Sequence, residues 1–400
     1  MHIEDRGVPR IYLDNPAGTQ VPVSVVERMS ECLLHGNANT GGFFRTSQLA
    51  EEIVDDAREA VAEFLNAPSA AEVVFGQNMT TLTFQLSRSI GRHLVAGDEI
   101  VVSRMDHDAN VEPWVLMARD HDLQVRWLSF NTTTFEFDVD ALDAVLSERT
   151  RLLCIGGASN LTGTINEVRS LCARARAVGA WSFVDGVQSA PHVLTDVQEI
   201  GCDFFACSAY KFFGPHQGIL WGRRENFEQL VPYKVRPASA ELPWCFETGT
   251  PSHEGIAGCG AAVDYFAAVG STLTGSDKRR DRLRAAFADL FAYETKLAGQ
   301  LIAGLQAIPG VTIHGITAPD ALHRRVPTVS FTHARHRPDV IARALAKRNI
   351  FVWSGHNYAV EPANALGLLD TGGVVRIGAV HYNTAAEIDA TLAALETVLR

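Results

Sequence analysis

A lysine and an aspartate in this sequence each follow a short apolar run that is typical of a buried strand. Lys211 follows the run 204–206 and a brief polar stretch, and Asp185 follows the run 181–184. The chain contains only five lysines and none precedes Lys211, so this lysine is not casual surface composition. A lysine amine can form a Schiff base with a cofactor aldehyde, and a carboxylate can pair with a pyridinium nitrogen. The pair therefore predicts a site for pyridoxal 5'-phosphate (PLP).

Residues that could hold the phosphate of such a cofactor follow two other predicted strands. Asn78 is a candidate N-cap, and the free amides of Asn78 and Met79 would begin a helix whose N-terminus attracts anions. Ser208 and Tyr210 precede Lys211 and could supply hydroxyl groups to the same phosphate. A capped helix taken alone is usually only structural.

Three further polar residues lie where they could contact the cofactor ring. His107 could stack on the ring and move protons, while Asn160 and Gln188 could address its phenolic oxygen from two sides. A lone histidine or a polar turn residue usually does neither. The prediction depends on all these residues occurring, in order, at the ends of successive strands.

Short apolar strands alternate with amphipathic helices between residues 21 and 270. The predicted strands are 73–75, 99–103, 125–130, 152–156, 181–184, 204–208 and 218–222, and the predicted helices include 46–65, 80–94, 111–119, 139–146 and 167–178. This order predicts an α/β fold with a mostly parallel seven-stranded sheet and helices on both faces. Ligands bind such sheets at the carboxyl ends of the strands, where the residues above lie.

A glycine-, serine- and threonine-rich break at residues 270–277 divides the chain. We predict a large PLP-binding domain over 21–270 and a smaller α+β domain over 271–400, with residues 1–20 packed near the site and the small domain. The small domain is expected to contain helices at 281–308, 339–347 and from 385, and strands at 311–314, 328–332, 351–354 and 374–379.

The composition excludes several classes of function. The net charge is −11 and no basic tract occurs, so nucleic acid is not an expected partner. No apolar stretch is long enough to span a bilayer, and the N-terminus lacks the plan of a signal peptide, so we expect a cytoplasmic protein without a membrane partner. None of the seven cysteines forms a C-x-x-C pair. We therefore expect free buried thiols and no metal site.

Several motifs, read together, resemble one family along most of the chain. They occupy residues 12–19, 106–114, 159–164, 184–188, 208–211, 246–251, 376 and 382–384. The sequence resembles the class V PLP-dependent aminotransferases of fold type I, nearest to the cysteine desulfurase and selenocysteine lyase branch. The resemblance runs from about residue 10 to the C-terminus.

The resemblance implies a role for each matching residue. It implies that Lys211 binds the cofactor and moves the substrate α-proton, that Asp185 keeps the ring nitrogen charged, and that His107 stacks on the ring. The phosphate and phenolic-oxygen roles given above carry over as well. It also implies that the α-carboxylate of an amino-acid substrate is clamped by Arg376, with Thr19 nearby. Gly249 and Thr250 match the segment that completes the phosphate site of a second subunit, which implies a homodimer with shared active sites.

The sequence departs from that branch at the position of its catalytic cysteine. A desulfurase needs a thiolate to accept sulfur from the substrate. Tyr358 stands in that place, and no cysteine follows Cys259. Persulfide formation is therefore not expected.

A second departure is Gly41-Gly42, where relatives often carry a His-Arg pair. Phe43 and Tyr358 could then line a more open, aromatic site for a substrate larger than cysteine, unless these aromatic residues belong to the core.

These observations favour a PLP-dependent lyase that cleaves a Cβ–S bond in a cysteine conjugate by elimination from an α-carbanion. The same carbanion would also serve an aminotransferase or an epimerase. A cysteine desulfurase ranks below these activities, and a non-catalytic scaffold ranks last because Lys211, Asp185 and Arg376 are all present.

Overall fold

The computed structural model describes residues 4–5 and 7–400, apart from the side chain of Val139. Its large sheet contains seven strands, in chain order β1 (Val73–Gly76), β2 (Glu99–Ser103), β3 (Gln124–Leu128), β4 (Thr150–Gly156), β5 (Trp181–Asp185), β6 (Phe204–Ser208) and β7 (Gly218–Gly222). The predicted strands are all present. Most of their residues are buried, as expected for a sheet covered on both faces.

The spatial order of the large sheet is β1-β7-β6-β5-β4-β2-β3. Strand β7 runs antiparallel to β6 and β1, and the other neighbouring pairs are parallel. The predicted mostly parallel α/β sheet is confirmed. Because six strands point the same way, the residues that follow β1, β2, β4, β5 and β6 meet at one edge of the sheet.

Thirteen α-helices are found in the described part of the chain. They are α1 (Val23–His35), α2 (Arg45–Leu65), α3 (Met79–Gly91), α4 (Glu112–Asp120), α5 (Val139–Val145), α6 (Val168–Ala177), α7 (Val197–Ile200), α8 (Arg224–Phe227), α9 (His253–Ser271), α10 (Arg279–Ala307), α11 (Pro338–Ala346), α12 (Val360–Ala365) and α13 (Ala385–Leu399). The long helices α1 and α9 and the short helices α7, α8 and α12 were not among the predicted helices. Helix α9 packs against α1, α2 and α10 and is buried along most of its length, so it lacks the polar face that marks a surface helix.

A second, antiparallel sheet contains β8 (Val311–Ile313), β9 (Thr328–His333), β10 (Trp353–Gly355) and β11 (Val374–Gly378), in the order β8-β9-β11-β10. The single strand predicted at 351–354 is wrong in its extent. The structure has two strands there: Ile350–Phe351 pairs with Ile11–Tyr12, and β10 pairs with β11. The first pairing needs a partner more than three hundred residues away, which no local pattern reveals.

The N-terminal segment links this second sheet to the edge of the large sheet. The amide of Leu13 donates to Phe351, the amide of Gly378 donates to Leu13, and the side chain of Asn15 donates to the Gly378 carbonyl. The next residue, Pro16, directs its carbonyl at Lys211. Within the described residues, no helix is long and apolar enough to cross a membrane.

The remaining short strands form two small pairs, Glu4–Asp5 with Val8–Pro9 and Phe130–Asn131 with Glu136–Phe137. Short 3₁₀ turns occur at Ala70–Glu72, Asp108–Asn110, Ala209–Lys211 and Pro319–Arg324. Two of these turns follow β2 and β6 and carry the segments of His107 and Lys211.

Candidate active site

Two adjoining cavities lie at the carboxyl edge of the large sheet. The inner cavity, of about 570 Å³, is lined by Asp185, Gln188, Ser208, Asn78 and Met79 among others. The outer cavity, of about 490 Å³, is lined by Arg376, Tyr358, Trp353, Asn357 and Phe84 among others. Both cavities share Lys211, His107, Asn160 and Tyr210, which therefore stand at their boundary.

Lys211 is buried at this boundary, and its amine donates a hydrogen bond to the Pro16 carbonyl oxygen at 2.5 Å. Burial, helped by the positive charge of Arg376, lowers the pKa of Lys211 to about 7, although Asp14 and Asp185 act in the opposite direction. Because a large fraction of the amine is then uncharged near neutral pH, Lys211 can act as a nucleophile or as a base.

Asp185 is buried at the end of β5, and its carboxylate accepts a hydrogen bond from the Val187 amide at 2.9 Å. Burial raises the pKa of Asp185 to about 6, against the opposing effects of the Val187 amide and Lys211. Asp106 also lines the inner cavity, and burial, with the nearby charge of Asp185, raises its pKa to about 7. The inner cavity thus has two carboxyl groups and too little positive charge to stabilise both as anions.

One end of the inner cavity is formed by the N-terminus of α3, where free backbone amides favour an anion. The Asn78 side chain caps this helix by accepting from the Thr81 amide, and the Met79 amide donates to the Ser208 hydroxyl at 2.9 Å. A Cβ on Gly218 would come within 2.5 Å of the Asn78 backbone, so only glycine lets β7 approach this turn. The Tyr210 ring stacks on His216, with ring centroids 4.9 Å apart.

His107 lies between the inner cavity and Tyr358. Its Nδ1 accepts a hydrogen bond from the Ala109 amide at 3.0 Å, and the Tyr358 ring stacks on the imidazole at 5.6 Å with an interplanar angle of 15°. Burial, followed by the charges of Lys211 and Arg376, lowers the pKa of His107 to about 3. The lowered pKa favours the neutral imidazole, whose ring can stack on a planar group.

Arg376 and Asn160 form the floor of the outer cavity. Arg376 Nη1 donates to the Asn160 carbonyl at 3.2 Å, and Nη2 lies 3.5 Å from an Asp14 carboxylate oxygen. Asn160 Nδ2 donates to the Asn357 carbonyl at 2.7 Å. Within the described chain, Arg376 Nε and Asn160 Oδ1 are buried without a hydrogen-bond partner. Unpaired buried polar atoms are costly, so these two atoms point to a ligand.

The turn that carries Tyr358 has a strained backbone. Asn357 and Tyr358 adopt φ angles of 55° and 58°, in the left-handed region that a tyrosine rarely occupies. Hydrogen bonds from the Asn160 side chain to the Asn357 carbonyl and from the Asp108 amide to the Tyr358 carbonyl, both 2.7 Å, hold the turn against the site. These contacts fix Tyr358 beside His107.

A model of the aminotransferase class-V family matches residues 11–391. The chain belongs to this class V family. It is 33% identical over 412 aligned residues to a cysteine desulfurase of Pectobacterium atrosepticum, covering 99% of this chain and 95% of the relative. It is 30% identical to a cysteine desulfurase of Yersinia pestis strain Pestoides F, covering 98% of this chain and 94% of that one.

Solved structures of class V relatives have the same fold. The apo cysteine desulfurase of Thermococcus onnurineus NA1 superposes with a TM-score of 0.87 at 28% identity, over 98% of this chain and 94% of the other. The cysteine desulfurase CsdA of Escherichia coli gives a TM-score of 0.84 at 27% identity, over the same shares of the two chains. The predicted family and PLP fold type I are confirmed.

The cofactor of this class V chain is PLP, and the inner cavity fits it. Asp185, with its raised pKa, would be satisfied by a protonated ring nitrogen, and the helix N-terminus with Ser208 would hold the phosphate. Lys211 lies within the same cavity, where its amine could reach the aldehyde. When bound, PLP withdraws electrons from the α-carbon of an amino acid.

Four predicted site residues of this class V chain lie outside both cavities. The Thr19 hydroxyl accepts from the Phe213 amide at 2.8 Å and donates to the Tyr210 carbonyl, so it braces the turn after Lys211. Phe43, Gly249 and Thr250 are exposed on the surface of the single chain. The roles of Gly249 and Thr250 require a second subunit and stay predictions, and so does the predicted contact of Phe43 with the substrate.

Other cavity residues were not predicted from the sequence. The Pro16 carbonyl accepts from both Lys211 and the Gln188 side chain, the latter at 2.8 Å. Backbone carbonyls carry no sequence signal, although Pro16 lies within the motif at 12–19. His216 lines the inner cavity and stacks on Tyr210, and it was not singled out from the sequence. Asp106 lies within the motif at 106–114. The sequence did not show that its side chain is buried in the inner cavity.

The depressed pKa of Lys211 predicts a pH-dependent stability in the cofactor-free class V chain. The folded amine has a pKa of about 7 against the ordinary 10.5. As pH falls from 10.5 to 7 the unfolded state binds the proton first, so the buried amine lowers the free energy of unfolding by roughly 1.4 kcal/mol per pH unit. Between pH 9 and pH 7, wild type should therefore lose stability relative to Lys211→Met, measured by urea unfolding.

The exposed Lys347 supplies a matched control, because Lys347→Met leaves the buried amine in place. Its stability should follow that of wild type at every pH. Parallel pH profiles for wild type and Lys211→Met would show that Lys211 keeps an ordinary pKa.

Proposed function

We propose that this chain is a PLP-dependent lyase that breaks the Cβ–S bond of an S-substituted cysteine. The observation that carries the proposal is that Tyr358 lies against His107 in the outer cavity. The resemblance implies that this is the position of the cysteine in the desulfurase branch. A phenol cannot accept sulfur to form a persulfide. A site that activates the α-carbon and lacks a sulfur acceptor can still expel a β-substituent.

The cysteines of this chain support the same conclusion. All seven are free and buried, and none of them lines the inner or outer cavity. Cys207 belongs to β6, close in sequence to Lys211, yet burial raises the pKa of its thiol far above the usual range. A sulfur acceptor must be a thiolate within reach of the substrate, and neither condition is met.

The residues of the site suit the elimination. Arg376 would bind the α-carboxylate through its guanidinium, and the uncharged Lys211 amine would remove the α-proton. The Cβ–S bond then breaks with its electron pair on sulfur, and protonation gives a free thiol. The remaining enamine takes up water and yields pyruvate and ammonium, so no oxidant or reductant is required.

Alternative activities share the first proton transfer. An aminotransferase or an epimerase would also use Lys211 as its base. The relatives are named cysteine desulfurase, which favours that activity as the second candidate. A non-catalytic scaffold would not need Lys211, Asp185 and Arg376 together.

We also propose that the working molecule is a homodimer in the cytoplasm. Gly249 and Thr250, exposed on one subunit, would complete the phosphate site of the other. The large domain at 21–270 would bind PLP, and the domain at 271–400 would carry Arg376 and Tyr358. Chromatography with light scattering would measure the oligomeric state.

The test is to identify the products that the PLP-loaded protein forms from S-substituted cysteines. We expect pyruvate, ammonium and thiol in equal amounts. Alanine from unsubstituted cysteine would establish a desulfurase. Turnover that requires an added keto acid would indicate transamination, and loss of optical purity without pyruvate would indicate epimerisation. No reaction with any amino acid would favour the scaffold.

A further inference from the structure

The outer cavity has an aromatic wall. Tyr358, Trp353 and Phe84 line it together with Arg376. Trp353 on β10 lies directly opposite Arg376 on β11, so their side chains occupy the same face of the second, antiparallel sheet. The Tyr358 and Trp353 side chains are largely exposed, so the chain does not use them as core. A substrate bound by its carboxylate at Arg376 would therefore extend along aromatic rings.

Two carboxylates of the outer cavity form no ion pair in the described chain. Asp108 and Glu112 line this cavity and not the inner one, and no lysine, arginine or histidine of the described chain lies within ion-pair distance of either. The nearby Arg104 is paired with Glu361 instead. Burial and the charge of Glu361 raise the pKa of Asp108, and the charge of His356, which lies beyond ion-pair distance, opposes them.

A third acceptor in the outer cavity is buried and unpaired. Asn357 is 8% exposed and lines the cavity, and its Oδ1 has no hydrogen-bond partner in the described chain. Its Nδ2 donates to the Gly355 carbonyl at 3.0 Å, so the atom without any partner is an acceptor. Two carboxylates, an amide oxygen and aromatic faces all favour a ligand that is positively charged and carries N–H donors.

We propose that the outer cavity is a subsite for a cationic substituent on the sulfur of the substrate, such as an alkylammonium group. This inference rests on the lyase proposed above and narrows its substrate class. The α-carboxylate would bind Arg376, and the distal cation would bind between Asp108, Glu112 and the aromatic faces. A partly exposed pair of carboxylates, together with cation–π contact, contributes enough binding free energy to favour a cationic substituent roughly tenfold over a neutral one.

The experiment compares three substrates of similar length with the PLP-loaded protein. They are S-(2-aminoethyl)-L-cysteine, which is cationic, S-propyl-L-cysteine, which is neutral, and S-carboxymethyl-L-cysteine, which is anionic. We expect the cationic substrate to have a KM roughly tenfold below that of the neutral one, and the anionic substrate to have the highest KM.

The double variant Asp108→Asn with Glu112→Gln should remove this preference. The readout is the ratio of the KM values for S-propyl-L-cysteine and S-(2-aminoethyl)-L-cysteine, which should fall from roughly tenfold to about one in the double variant. Glu148→Gln, at an exposed position outside both cavities, is the control for a general change in surface charge and should keep the preference.

The outcomes separate this inference from the lyase itself. Equal KM values for the three substrates, or a preference that survives in the double variant, would overturn the cationic subsite while leaving the lyase intact. Release of no thiol from any substrate would overturn the lyase. In that case calorimetric titration of the loaded protein still measures a Kd for each of the three ligands. Tightest binding of the cationic ligand, lost in the double variant, would support the subsite.

Discussion

Lys211→Ala is expected to lower kcat by roughly 10²–10⁴-fold, the usual contribution of a positioned acid–base group. Its amine is buried at the boundary of both cavities, and its pKa is lowered to about 7. No other lysine lines either cavity, so no neighbouring amine can take over the proton transfer. The variant should also lose the visible absorption band of the covalently bound cofactor that borohydride abolishes.

Lys347→Ala tests whether loss of any lysine has this effect, since Lys347 is exposed and lines neither cavity. It should keep the wild-type kcat and absorption band. A Lys211→Ala protein that retained the borohydride-sensitive band would show that another residue binds PLP.

Arg376→Lys is expected to raise the KM for the amino-acid substrate about 100-fold, because loss of a buried charged contact costs about 3 kcal/mol. The guanidinium is 4% exposed, its Nε has no partner in the described chain, and its two terminal nitrogens are held by Asn160 and Asp14. A lysine cannot reproduce the bidentate geometry that a carboxylate prefers.

The absorption band of bound PLP should be unchanged in Arg376→Lys, because Arg376 lines only the outer cavity. Arg343→Lys, on the exposed face of α11, is the matched control and should leave KM unchanged. An unaltered KM in Arg376→Lys would show that the substrate carboxylate binds elsewhere. Loss of PLP would show that Arg376 stabilises the inner cavity instead.

The seven strands of the large sheet could be predicted because each is a local apolar run with a clear boundary. The same runs indicate where the carboxyl edge lies, so the meeting of Lys211, Asp185 and Asn160 at one edge follows from strand direction alone. Helix α9 could not be predicted in the same way, since burial on most sides removes its periodicity. The pairing of Ile11–Tyr12 with Ile350–Phe351 depends on tertiary contact only.

The details of the candidate site were less predictable than its position. Tyr358 was predicted as a site residue from its position in a motif. Its stacking on His107 depends on a left-handed turn that the sequence Asn357-Tyr358 does not predict. Thr19 was also predicted as a site residue from its position in a motif. In the structure its hydroxyl is hydrogen-bonded to backbone groups of Tyr210 and Phe213, which the motif does not predict. Sequence patterns identify which residues converge, and only packing determines which of their polar atoms are free.

The fate of the sulfur atom tests the central claim most directly. The PLP-loaded protein would be mixed with one equivalent of an S-substituted cysteine or of cysteine, quenched, and analysed for the carbon product and for the intact protein mass. The elimination predicts pyruvate, a free thiol or sulfide, and a protein of unchanged mass. Alanine together with a protein heavier by one sulfur atom would contradict it and would establish a desulfurase that uses an acceptor other than position 358.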